Sequence, residues 1–232
     1  MALVKFGAGI VDMRGSIAGN TFARNRAGAY VRARTKPINP NTSRQQAVRN
    51  ILQQLVNDWS QTLTSANRTA WNQYAAAVPM TNKLGEEQLL TGFNMFIRSN
   101  VALLQASLPQ VDAGPTTLLL PAGDGTFAVT ASEATQLLSV TFDDTDDWCD
   151  TDGSGLIVKC GLPQNASRNF FDGPFRFADS VDGDSVTAPT SPSTMAAPFI
   201  ITEDQKIWVE GRIALADGRL SAPFRSSCIV GA

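Results

Sequence analysis

The apolar residues of this chain keep three different spacings, and the two changes divide it before any other property is weighed. Up to Thr42 there is no helical period, from Ser43 to Leu108 the spacing is that of a helix, and beyond Pro115 it becomes the two-residue alternation of strands. The first stretch is the most constraining. Phe6 to Thr42 reads FGAGIVDMRGSIAGNTFARNRAGAYVRARTKPINPNT, with glycine at 7, 9, 15, 19 and 28. Tyr30 to Thr35 alternate in strand fashion, and Pro37 and Pro40 then deny the chain a helix until Asn41 or Thr42 can cap one. Ile10, Val11, Met13, Ile17, Phe22, Tyr30 and Val31 are large apolar groups spaced too irregularly for one amphipathic element. Such a segment is expected to be an extended arm that packs on another molecule.

Charge sharpens the expectation. Residues 1–50 hold nine Lys or Arg against Asp12 alone, a balance of +8, whereas the remainder holds ten basic and twenty acidic residues, a balance of −10. A near-neutral total conceals two electrostatic opposites. Phe22, Arg24, Arg26, Tyr30, Arg32, Arg34 and Lys36 are therefore the candidate partner-binding residues of the arm. The arginines could neutralise phosphates, but the apolar groups interleaved with them suit a groove between protein subunits better, and a protein partner is the favoured reading.

From Ser43, the residues Val48, Ile51, Leu52, Leu55, Val56, Trp59 and Leu63 predict one helix over 43–62. Thr64 or Ser65 caps a second helix that Pro79 ends, and Thr91 caps a third, bearing Phe93, Phe96, Ile97, Val101, Leu104 and Leu108. Beyond Pro115, strands are expected at 116–120, 126–131, 136–142, 155–162, 174–180, 199–202, 206–214 and 224–230, with an Asp217-Gly218 hairpin turn and a long exposed loop over 181–198. The expected fold class is α+β: an extended arm (1–42), a helical domain of a hairpin plus a third helix (43–114), and a C-terminal antiparallel β-sandwich (115–232).

Little of the sequence points to reaction chemistry. Histidine is absent, which removes the commonest general base and metal ligand together. No GxSxG, phosphate-binding loop or GxGxxG in strand-to-helix context occurs, so no catalytic residue and no cofactor is implied. Cys149, Cys160 and Cys228 are odd in number and lack CxxC spacing, suggesting neither a disulfide framework nor a zinc site. Asp143, Asp144, Asp146, Asp147, Asp150 and Asp152 invite a calcium reading, but in EF-hand register Trp148 would hold the first ligand position and Lys159 the twelfth. A solvated acidic loop is expected instead, and no metal site. No apolar run is long enough to span a bilayer, and neither a signal peptide nor membrane association is expected. Without a secretory signal, the glycosylation triplets at Asn41, Asn67 and Asn165 read as chance. Trp148, beside the acidic loop, is the one aromatic that a sugar-binding reading could use.

Arg34, Lys36, Pro37, Asn39, Pro40, Thr42 and Gln45, followed by Trp59, Leu63, Thr64, Arg68 and Trp71, form a pattern behind a glycine-rich arm. It resembles a class of small virion-associated proteins of tailed bacteriophages and prophages. The C-terminal half, with DGRLSAP at its last hairpin, looks like a fibronectin type III or immunoglobulin-like module, although the paired Cys and Trp spacing of true immunoglobulin domains is missing. The resemblance implies a non-enzymatic particle component, made in the bacterial cytoplasm and located in the virion. A capsid decoration or cement protein is the first expectation, anchored by its arm on the major capsid protein or other virion subunits and associating with itself, with a trimer as the first guess. A neck, tail or fibre component is the alternative, and a DNA-binding or packaging protein using the basic arm is a third.

Overall fold

The computed structural model describes residues 2–7, 9–25, 28–82 and 84–232. The segment expected as an extended arm contains short strands that pair with one another. β1 (Ala2–Leu3), β2 (Gly15–Ile17), β3 (Asn20–Asn25) and β4 (Gly28–Ala33) form an antiparallel sheet in the order β1-β4-β3-β2. The strand signal at Tyr30 was visible, but its partners were hidden in glycine-rich sequence. Ala18, in left-handed backbone (φ 50°), begins the turn that pairs Ile17 with Asn20, and Gly28 (φ +119°) pairs with Asn25 across the next one.

The helical domain follows the sequence closely. α1 (Ser43–Asn57), α2 (Ser65–Ala77) and α3 (Gly92–Gln105) are capped by Thr42, Thr64 and Thr91, each side-chain oxygen accepting a backbone N–H three residues on. Thr42 and Gln45 complete a reciprocal capping box. The single helix expected over 43–62 is instead α1 followed by a π-helical turn, Asp58–Thr62, closed by the Leu63 amide donating to the Asp58 carbonyl at 2.8 Å. Trp59, carried on that turn, packs 5.6 Å from Phe93 and 5.5 Å from Phe96. Leu55, Trp71, Tyr74, Met95 and Phe96 form the fully buried centre of this domain. Between α2 and α3 lies a two-strand ribbon, β5 (Met80–Thr81) with β6 (Glu87–Gln88).

The C-terminal half is built from two antiparallel sheets. β7 (Ala128–Ser132), β8 (Leu137–Thr141) and β12 (Ser193–Ala196) form one, in the order β12-β8-β7. β9 (Gly155–Gly161), β11 (Phe175–Asp182), β13 (Gln205–Ala214) and β14 (Phe224–Ile229) form the other, with β10 (Gln164–Asn165) pairing the start of β13. Val129, Leu138 and Val140 from the first sheet and Leu156, Val158, Ile207 and Val209 from the second share one core. The two sheets also join at an edge, where Ser132 bridges Gly231 in parallel and the Gly231 amide donates to the Ala131 carbonyl.

Three expectations for this half need correction. Residues 116–120, between Pro115 and Pro121, make no strand; Leu118 and Leu119 are exposed there. Residues 199–202 make none either, because the Gln136 side chain takes the place of a neighbouring strand: its Nε2 donates to the Ile201 carbonyl at 2.8 Å, and its Oε1 accepts from the Ile201 amide at 3.0 Å. The loop expected over 181–198 holds the end of β11 and all of β12, where Met195 is the one large apolar group of Ser-Thr-Met-Ala and turns inward.

Helices and sheets are packed together. Ala102, Leu103, Ala106 and Leu108 bury against Ile157, Ala214 and Leu220. The Arg98 guanidinium donates to the Leu220 and Ser221 carbonyls, 2.8 Å each. Gly218 (φ +87°) lets the β13–β14 hairpin tip approach the Trp71 indole, which a Cβ would meet at 3.1 Å.

Candidate interaction surface

No described residue before Leu55 is buried, so the whole N-terminal sheet is a single layer. Strand register sorts its side chains onto two faces. Phe22 pairs with Val31, and Arg24, Ile17 and Ala33 lie on their face; Tyr30, Arg32, Thr21 and Leu3 occupy the other. Each face thus mixes apolar and cationic groups. Arg34 and Lys36 follow β4 in an exposed segment without regular structure, and Arg26 lies outside the described residues. The strands therefore bring Phe22 and Arg24 together on one face and Tyr30 and Arg32 on the opposite one. Lys5, just past β1, pairs with Glu86, a contact that lowers the Glu86 carboxyl below its ordinary range through the hydrogen bond from Lys5.

Several residues of the Arg34-to-Trp71 pattern, with their neighbours Asn41 and Arg49, make side-chain hydrogen bonds behind this sheet. Asn41 sits in left-handed backbone (φ 51°), and its side-chain oxygen accepts from Arg49 Nη1 at 3.2 Å, while Asn39 accepts from Arg49 Nη2 at 2.9 Å. Arg68 donates to the Trp59 carbonyl at 3.3 Å, and the Trp71 indole donates to the Asp112 carbonyl at 3.0 Å. The Arg49 bonds tie the segment before α1 to that helix, while Arg68 and Trp71 tie α2 to the turn at Trp59 and to Asp112.

α1 is itself thinly covered. Leu55 is its one buried residue, whereas Val48, Leu52 and Val56 make an exposed stripe at i, i+4 and i+8. Between its first turns and β11 lies a cleft of about 880 Å³ that sequence reasoning did not anticipate. Arg44, Arg49, Arg168 and Arg176 line it together with Val48 and Phe175, and none of its lining residues is acidic. Arginines separated by more than a hundred residues give no local sequence signal; only the docking of α1 beside β11 gathers them.

The acidic stretch forms the turn between β8 and β9. Asp144, Asp147, Asp150 and Asp152 are exposed, and Asp152 accepts from the Ser185 amide and hydroxyl. Hydrogen bonds from Thr145 hold the Asp143 carboxyl below its ordinary range, while burial and then the neighbouring Asp143 raise Asp146. Among the described residues no group of three or more acidic or cysteine side chains converges as a metal site. Trp148 is buried 5.4 Å from Phe142 and is not presented for stacking on a sugar. The three cysteines are free thiols, and burial pushes Cys160 up to about 12. Among the described residues no helix is long and apolar enough to cross a membrane.

The chain matches no protein-family model, no curated protein and no solved structure.

Proposed function

We propose that this chain is a non-enzymatic structural protein of a tailed-phage particle, a capsid decoration or cement protein held by its N-terminal 40 residues on neighbouring virion subunits. The observation that carries the reading is the single-layer sheet of β1 to β4, apolar and cationic on both faces and without one buried residue. A four-stranded sheet normally needs a second layer to be stable. A partner subunit supplies it here, and the ordering entropy of the segment is lost on assembly. The basic groups provide register and encounter rate on an acidic partner face, while Phe22, Tyr30 and Val31 provide buried area. The immunoglobulin-like or fibronectin-like character of the two C-terminal sheets belongs to the same reading, as an outward-projecting module.

Deleting residues 1–40 tests it. The truncated chain should fold with unchanged circular dichroism yet fail to join particles in an assembly reaction. Full incorporation of the truncated chain overturns the anchor. Copy number per particle separates a shell position, present in every capsomer, from a single ring at the neck or tail.

A further inference from the structure

The cleft between α1 and β11 gathers four arginines, and no acidic residue lines it. Arg44 donates to the Phe177 carbonyl, Arg49 to the side chains of Asn39 and Asn41, Arg168 to the Phe170 carbonyl, and Arg176 to the Pro198 carbonyl while lying 4.1 Å from the Phe199 ring centroid. All of these partners are neutral, and among the described residues none of the four arginines is in an ion pair with a carboxylate. Other arginines of the same half differ: Arg212, Arg219 and Arg225 pair with Glu210, Asp217 and Asp172. The cleft arginines are therefore held in place but left with charge to spare, and the N-terminal end of α1 adds its partial positive charge beside them.

The complementary surface lies at the far end of the same ladder. β9 and β11 pair from Gly161 and Phe175, at the cleft, to Gly155 and Asp182, beside the acidic turn. Seven residues of strand place the two ends about 20 Å apart. Asp144, Asp147, Asp150 and Asp152 are exposed there, and no described cation forms an ion pair with them. The two charges cannot meet within one molecule, but they can meet between two.

We propose that the Arg44/Arg49/Arg168/Arg176 cleft receives the 143–152 acidic turn of a second copy of this chain, head to tail. Val48 and Phe175 form the apolar floor of the contact. Such a contact uses two different surfaces, so repeating it closes a ring or propagates a filament. The inference goes beyond the proposed function, taking up the self-association that the resemblance leads one to expect, and stands apart from the arm: it concerns the purified chain, whereas arm deletion concerns the particle.

Sedimentation of the full chain at low and high ionic strength tests it, alongside the variants Arg168→Glu/Arg176→Glu and Asp147→Lys/Asp150→Lys. All four positions are exposed, and unchanged circular dichroism verifies folding. The wild type should associate at low salt and dissociate at high salt. Each doubly reversed variant should associate about a hundredfold more weakly, because like charges facing across an interface are strongly penalised. Mixing the two variants should restore assembly, since each then offers the charge the other needs. A wild type that stays monomeric, association indifferent to both reversals, or a mixture that fails to recover would overturn the proposal. So would salt-sensitive retention of duplex DNA by the cleft of a chain that does not self-associate.

Discussion

The two ends of this molecule use the same backbone pairing to opposite effect. At the N-terminus, four antiparallel strands form one layer in which no described residue is buried; at the C-terminus, two antiparallel sheets face each other and enclose Leu138, Val140, Leu156, Val158, Ile207 and Val209. Hydrogen-bond ladders are present in both. What differs is a second layer, and the contrast shows that pairing gives strands their register while burial gives them stability. A sheet that lacks the second layer is unfinished, and its composition describes what should cover it.

Substitutions at the two ends can break that contrast. The largest effect is expected for Leu138→Ala, which empties a fully buried site between the two sheets and should cost about 2–5 kcal/mol in chemical denaturation. Next comes Arg98→Met, which strips the Leu220 and Ser221 carbonyls of their charged donor; a loss of about 1.5–3 kcal/mol is expected. Separate melting of helices and sheets, followed by near- and far-ultraviolet dichroism, would sharpen the point by showing how far Arg98 couples them.

A third measurement uses pH. The Cys160 thiol titrates near 9 when unperturbed and is pushed up to about 12 by burial. Its folded form keeps a proton that the unfolded form releases, so this contribution is full below about 9 and declines as pH rises towards about 12. Denaturation midpoints of wild type and Cys160→Ala should converge over that range. The smallest effect is expected for Phe22→Ala: about 0.5 kcal/mol or less on the isolated chain, together with, on the function proposed above, poorer incorporation into particles. If Phe22→Ala destabilised the free chain as much as Leu138→Ala, the N-terminal sheet would have a covering layer of its own and the contrast would fail.

Much of the middle of the molecule was legible because helix signals are local. Thr42, Thr64 and Thr91 are readable as caps, and the periodic apolar stripe includes Leu55, Trp71 and Phe96, which the structure buries. The π-helical turn at Asp58–Thr62 was not legible, since its residues continue the helical stripe without a breaker. β12 escaped because Met195 is its only large apolar group, and residues 199–202 misled because a glutamine side chain replaces a strand there. For the candidate surface, composition marked the N-terminal residues as needing a partner, but the hairpins that sort them onto two faces depend on left-handed backbone at Ala18, which no propensity suggests. The cleft was invisible for a different reason: Arg44 and Arg176 become neighbours only through tertiary docking.

The Asp217-Gly218 tip bears on where this chain can tolerate change. Most hairpin ends of a β module hang free and accept inserted sequence, but this one is seated against the Trp71 indole. A peptide grafted there would pry the helices from the sheets. The loop around Val186, itself 90% exposed, carries no such obligation. Epitope display and natural loop variation alike should therefore concentrate on that side, leaving the hairpin tip short.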